Sequence, residues 1–321
     1  MTEIHGWTAD GFEGVRDAFA GNFASGSEVG AAFSAYHHGQ KVVDLWGGVA
    51  DQAAGREWAE DTVALVFSTT KGATAVCAHR LAEDGRLDVE APVPTYWPAF
   101  AAAGKSDMPV SFLLSHQAGL AWIDGTMTLD EALAWDPVVE RLAAEAPKWE
   151  PGTAHGYHAT TYGWLVGEVV RQIDGRSLGT YFRDEVAAPL DLDFWIGTPE
   201  SVEPRVAPLV TMDLPTEGPA RELMDQFMGP DTKLGKALSA PGGAFSDFSL
   251  FNSREVRAAE VPAANGVTDA RSLARMYAAL VSEVDGVRLL GPDQVKLATT
   301  QRTSGPNTVL LDMDIQFGLG F

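Results

Sequence analysis

Ser68 and Lys71 stand three residues apart, with an apolar run, Val63-Ala64-Leu65-Val66-Phe67, before them and a helix-like stretch, Gly72 to Glu83, after them. Residues three apart share one face of a helix, so the Lys71 amine would lie one turn from the Ser68 hydroxyl. A serine hydroxyl becomes a nucleophile when a neighbour removes its proton. A lysine can do so once burial or another cation has lowered its pKa. Serine also favours the N-cap, which puts the predicted helix start at or beside Ser68 and turns free backbone N–H groups toward any oxyanion formed there. The other reading of the tetrapeptide is a capping serine followed by a solvated lysine. The apolar approach, and a following helix with Ala73, Val76, Cys77 and Leu81 on one buried face, favour the chemical reading.

Other residues invite chemistry and have plainer explanations. His37 and His38 are adjacent on a predicted hairpin turn, where neighbouring side chains diverge, so a metal site there is disfavoured. His155 and His158 are three apart, but a loop setting with Gly156 between them argues against a metal pair. His116 is a general base by type; its expected role is structural, as a partly buried imidazole bonded to a loop. Gly175-Arg176-Ser177-Leu178-Gly179 matches G-x-S-x-G in form. A nucleophile elbow needs a strand before its serine, whereas here a helix precedes it, so Ser177 reads as the N-cap of a second helix.

The elements around these residues follow from periodicity. Phe12, Val15, Phe19 and Phe23 predict an amphipathic helix over about 10–24. Alternation from Val29 to Ala35 and a returning run from Lys41 to Trp46 predict a hairpin. A short apolar helix from Val110 is expected to stop at Gly119, and another helix is expected to run unbroken from Leu129 to Ala146. Tyr162, Leu165, Val166, Val169 and Ile173 line one face of a strong helix that Gly175 ends. Residues 199–264 read as an irregular segment over a cleft. Leu273, Met276, Tyr277, Leu280, Val281 and Val284 form the buried stripe of a late helix capped by Thr268 or Asp269, a further short helix starts at Asp293, and Gln316 to Phe321 reads as the beginning of a strand.

A chain of 321 residues, 45% hydrophobic, has enough apolar surface for one large domain or two interleaved subdomains. Its formal charge of −21 would repel phosphate backbones and anionic lipid, which disfavours nucleic-acid and membrane partners. No apolar run has the length of a membrane span, and the first residues lack a secretory pattern. The single cysteine, Cys77, rules out an internal disulfide framework and falls on a buried helix face, as an inert thiol would. A cytoplasmic location is the expectation.

Four stretches taken together resemble one family. They are Val66-Phe67-Ser68-Thr69-Thr70-Lys71-Gly72, Leu114-Ser115-His116-Gln117-Ala118-Gly119-Leu120, Trp149-Glu150-Pro151-Gly152-Thr153, and Tyr157-His158-Ala159 ahead of Gly163-Trp164-Leu165-Val166-Gly167-Glu168. The order and spacing resemble the serine β-lactamase-like superfamily from about residue 10 onward. The esterase branch, the family VIII carboxylesterases related to class C β-lactamases and DD-peptidases, is the most similar. The resemblance implies an α+β fold, with an antiparallel sheet flanked by helices in residues about 1–85 and 240–321. It also implies an all-helical lobe over about 86–239 and an active site between the two parts.

The same resemblance implies Ser68 as nucleophile, Lys71 as general base or proton shuttle, and Tyr157 as the tyrosine of the second motif. A tyrosine beside a lysine ammonium would have a lowered pKa and relay protons. Trp122 and His158 are the expected substrate contacts, and no cofactor or metal is implied. The second motif usually ends in Asn where this chain has Ala159, a departure that suits an esterase better than a β-lactamase. The family's third motif would follow Phe321. Without it, the resemblance implies a chain short of central strands, with an unpaired edge on the first strands and poor stability or activity. The expected function is hydrolysis of small-molecule carboxylic esters through an acyl-enzyme. The alternatives are a β-lactamase or peptidase acting on amides, and a non-catalytic protein that traps an acyl group.

Overall fold

The computed structural model describes residues 2–210 and 215–321. In chain order it contains β1 (Ile4–Thr8), α1 (Glu13–Ala24), β2 (Gly30–His37), β3 (Gln40–Asp51), β4 (Arg56–Glu57), β5 (Val63–Leu65) and α2 (Thr70–Glu83). Next come α3 (Val110–Leu114), α4 (Leu129–Leu133), α5 (Asp136–Ala144), α6 (Thr161–Asp174), α7 (Leu178–Phe182), β6 (Phe194–Trp195) and β7 (Val206–Ala207). The remainder is α8 (Pro219–Met228), α9 (Lys233–Leu238), α10 (Arg254–Ala258), β8 (Val267–Thr268), α11 (Ala270–Val281) and α12 (Pro292–Thr299).

Two small sheets organise this mixed α/β fold. The first is antiparallel in the order β1-β3-β2, with β4 paired to the far end of β3. Its hairpin closes at His38-Gly39, where both residues take positive φ, as a two-residue turn demands. Val43 and Leu45 of β3 bury against Phe19 of α1, with Phe12, Val15 and Phe23 around them. Among the described residues β2 pairs only with β3. The second sheet has the order β6-β8-β5-β7 and leads directly into the Ser68 turn.

Asp44 of β3 ties the first sheet to α11. It is 6% exposed and accepts from Lys41 and from both Nε and Nη2 of Arg271. Removing the carboxylate would leave a three-quarters buried guanidinium with only its Glu60 contacts, its Nε and Nη2 unpaired. Asp44→Ala is therefore expected to cost about 2–4 kcal/mol in urea unfolding, at the low end of the range for broken buried pairs. A change below about 0.5 kcal/mol, typical of exposed pairs, would refute this.

The helix α2 is the centre of the molecule. Every residue from Thr70 to His79 is buried, as is Leu81, and a helix enclosed on all sides must be small or apolar wherever a neighbour approaches. Gly72 shows why: a Cβ there would sit 2.0 Å from the Tyr277 hydroxyl of α11. The main core extends from β5 and α2 through α3, α5, α6 and α7 to α11. Cys77 is fully buried within it, and burial pushes its thiol up, away from the reactive thiolate.

Local structure departs from the periodicity in several places. Ser68 is not an N-cap: it lies in a 3₁₀ turn, Phe67–Thr69, and its side chain caps nothing. The helix expected over 129–146 is two helices, broken where Trp135 takes a φ of 65°. The helix from Val110 ends at Leu114, well short of Gly119, and His116 beyond it has a φ of 62°. The stretch 199–264 is less irregular than expected, since α8, α9 and α10 fall in it; its residues 211–214 lie outside the described part. Val281 is 63% exposed rather than buried, while Met276, Leu280 and Val284 do face the core. Gln316–Phe321 forms no strand; Leu319 N–H instead donates to the Ala298 carbonyl of α12. Asp269 caps α11, Ser177 caps α7, and Gly175 ends α6 in the left-handed conformation, as expected.

Candidate active site

The turn that carries Ser68 is pinned from the second sheet. Val66 N–H donates to the Gly266 carbonyl, and Gly266 N–H donates to Thr70 Oγ1, which itself donates to the Phe67 carbonyl. Between these anchors Phe67 takes a φ of 41°, a sparsely populated conformation for an aromatic residue. Its ring packs edge-on against buried Phe251 at 5.2 Å, which over-determines the strained backbone. The result is an exposed Ser68 presented on the first turn ahead of a buried helix.

Two groups meet Ser68 Oγ. Lys71 Nζ lies 3.1 Å away, and the Tyr157 hydroxyl donates to Oγ at 2.6 Å across a separation of 89 residues. Lys71 Nζ also donates to the carbonyls of Ala159 at 2.5 Å and Ala263 at 3.0 Å. Its neighbours among the described residues are two carbonyls, one hydroxyl and the rings of Tyr157 at 4.8 Å and Tyr162 at 5.9 Å, with no carboxylate among its hydrogen-bond partners there. Burial disfavours the ammonium and pulls Lys71 from 10.5 down to about 7. Tyr157 moves the other way from the sequence expectation. Burial raises its phenol, the bond with Ser68 opposes this only in part, and the group stays protonated at neutral pH. Lys71, not Tyr157, is the group whose charge changes near neutral pH, while Tyr157 remains a protonated donor.

A cleft of about 220 Å³ opens at this cluster, walled by Ser68, Lys71, Gly72, His116, Tyr157, Tyr162, Tyr277, Phe317 and Phe321. His158, expected beside substrate, is fully buried. Its Nε2 accepts from Leu120 N–H at 2.9 Å and its Nδ1 lies 2.7 Å from the Gly156 carbonyl, which fixes the proton on Nδ1. Burial takes its pKa down to about 4. That ring braces the loop and cannot meet a substrate. Trp122 is partly buried in a side cluster with Tyr157, Trp149 and Leu238, under Lys148 Nζ at 5.8 Å, and is not part of the Ser68 cleft wall. Ser177 Oγ donates to the Glu260 carboxylate at 2.6 Å and accepts from Thr180 N–H as the cap of α7, the bonds of a structural serine.

Sequence reasoning overlooked three contributors. The carbonyls of Ala159 and Ala263 bind Lys71 through backbone, which has no residue-type signature. Asn307 is fully buried, and its Oδ1 accepts from Tyr157, Val309 and Leu310 N–H groups. Only a Pro-Asn pair in a turn-rich segment marked it. Among the described residues no group of three or more His, Cys, Asp or Glu side chains gathers in a way that would hold a metal.

A mixed α/β fold that brings a Ser-x-x-Lys turn under a tyrosine from a distant loop defines a class of protein. The chain belongs to the beta-lactamase family, whose model matches residues 15–321. It is 38% identical over 320 residues to the esterase/beta-lactamase LipL of Mycobacterium tuberculosis, covering 97% of this chain and 72% of that protein. The crystal structure of a family VIII carboxylesterase superposes with a TM-score of 0.88 at 37% identity, over 99% of this chain and 83% of the other. A penicillin-binding protein homologue from Caulobacter crescentus gives 0.87 at 38%, over 99% and 82%.

Proposed function

We propose that the protein is a serine hydrolase of carboxylic esters that works through an acyl-enzyme on Ser68. The observation that carries this is the convergence of Lys71 Nζ and the Tyr157 hydroxyl on Ser68 Oγ. With Lys71 neutral, its two N–H groups go to the Ala159 and Ala263 carbonyls and its lone pair is left for the Ser68 proton. Ser68 Oγ adds to the ester carbonyl as Lys71 takes that proton. The oxyanion is held by the Ser68 backbone N–H, one of the free donors of the first turn. Collapse expels the alkoxide, which takes a proton from the Tyr157 hydroxyl, and Lys71 returns a proton to Tyr157. Water then enters and gives a proton to Lys71 as its oxygen adds to the acyl carbonyl; collapse breaks the acyl–Oγ bond, Ser68 Oγ takes that proton back from Lys71, and the acid leaves with Ser68 and neutral Lys71 restored. No step calls for a metal or an organic cofactor. Similarity to a protein named an esterase and to a family VIII carboxylesterase supports esters as the substrate class.

Ala159 supports esters over amides. Its methyl packs with Ala121, Leu234 and Ala237, so the wall beside Lys71 offers no side-chain amide to a substrate. A second reading, β-lactam or peptide amide hydrolysis, is favoured by the double name of the mycobacterial relative. Intact-mass measurement during turnover of a slow ester is expected to show one acyl adduct, mapped to Ser68, that decays as acid is released. Faster turnover of a cephalosporin than of a short-chain ester would select the second reading. An adduct that never clears would select an acyl-trapping protein. No adduct at Ser68 with either substrate would refute both hydrolytic readings.

A further inference from the structure

We infer that His116 is a positioning residue for Tyr157, holding the backbone on both sides of that phenol so that its hydroxyl reaches Ser68. The loop from Ala154 to His158 belongs to no helix or strand, so its hydrogen bonds, with the packing of the Tyr157 ring, set where Tyr157 points. His116 makes two of them: Gly156 N–H donates to its carbonyl at 3.0 Å, and His158 N–H donates to its Nδ1 at 3.1 Å. Between these, Tyr157 N–H donates to Asn307 Oδ1 at 3.2 Å, and just beyond, the Ala159 carbonyl accepts from Lys71. Three successive N–H groups and the next carbonyl are fixed, and His116 holds the outer two N–H groups.

The His116 geometry is built for this rather than incidental. The residue is 4% exposed and takes a φ of 62°, a conformation a bulky residue adopts only when its surroundings impose it. That backbone turns its carbonyl and its ring toward one loop. The ring lies 5.1 Å from the Tyr157 ring and 4.5 Å from Phe317, so it also backs the phenol sterically. Accepting at Nδ1 places the ring proton on Nε2. Burial, with His158, Lys71 and His155 nearby, keeps the imidazole well below its ordinary pKa and neutral beside Lys71. His116 lines the same cleft, but among the described residues no hydrogen bond joins it to Ser68 Oγ or the amine; it acts through Tyr157.

The inference rests on the Ser68–Tyr157 reading and is tested by a double-mutant cycle in the full chain. His116→Phe is expected to lower kcat for a short-chain nitrophenyl ester by about 10- to 100-fold, the scale of a misplaced proton donor, with KM within about threefold. His116→Asn places an acceptor where Nδ1 sits and tolerates the left-handed backbone, so it is expected to recover kcat to within about fivefold of the native value. In a Tyr157→Phe background, His116→Phe is expected to add less than about a threefold loss. Multiplicative losses, or failure of Asn to rescue, would overturn the inference. Should His116→Phe not fold, His116→Gln, whose acceptor lies one bond too far, runs the same cycle. A crystal structure of the variant decides independently of turnover. The Tyr157 hydroxyl should leave Ser68 Oγ, and a bond still at the native 2.6 Å overturns the inference even if the native protein proves inert to esters, a result that would sink only the hydrolase reading.

Discussion

Ser68→Ala is expected to reduce ester turnover by on the order of 10⁴- to 10⁶-fold, the loss seen when a covalent nucleophile is removed from a preorganised site. The substitution deletes one exposed hydroxyl from a turn that Thr70 and Gly266 pin, so thermal unfolding should be nearly unchanged. Ser177→Ala should give the opposite pair of results. Ser177 caps α7 through Thr180 N–H and donates to Glu260, so its loss should cost about 1–2 kcal/mol of stability and leave kcat within about twofold. The two variants, assayed on one ester and unfolded in one denaturant series, separate a reacting serine from a structural one. A loss of activity in Ser177→Ala comparable to that in Ser68→Ala would revive G-x-S-x-G as a carrier of the chemistry, and unchanged rates in Ser68→Ala would sink the Ser-x-x-Lys assignment.

The contrast shows what the sequence could and could not convey. Ser68 and Lys71 were legible because their relation is local: three residues, one turn, one apolar approach. Tyr157 was not legible from spacing at all and came through family resemblance, since closing a separation of 89 residues is a property of the fold. The site's protonation pattern was misread at Tyr157 for a physical reason. A neighbouring ammonium would lower the phenol, but burial lowers the ammonium itself, and the phenol then faces a largely neutral amine. His158 was expected to meet substrate; only the tertiary structure supplies the Leu120 and Gly156 partners that hold it in the interior. Breaks in helices were missed where the left-handed residue is Trp135 or His116 rather than glycine, since such positions are imposed by packing and leave no compositional mark. The hairpin, the caps at Ser177 and Asp269 and the Gly175 stop were legible because each is decided within four residues.

Lys71→Met is expected to lower kcat/KM by about 10²- to 10⁴-fold, the range for loss of a general base, and to abolish the acid limb of the pH profile. In the native protein that limb should have an apparent pKa of about 7, where Lys71 becomes a neutral acceptor. Neither His116 nor His158 can supply it, because burial holds both imidazoles below their ordinary range. The same variant has a stability signature of determined sign. An unfolded Lys71 keeps its proton up to its ordinary value of 10.5, while the folded one releases it near 7. Between those values the unfolded state binds more protons, so native stability rises with pH by about 1.4 kcal/mol per unit from this group and falls as pH drops toward 7. Methionine carries no such penalty. Its stability relative to the native chain should be highest at pH 7 and below, and the difference should shrink by roughly 2 kcal/mol between pH 7 and 9 in urea unfolding. A difference independent of pH over that window would mean that Lys71 stays charged in the fold. The proton taken from Ser68 would then need another destination.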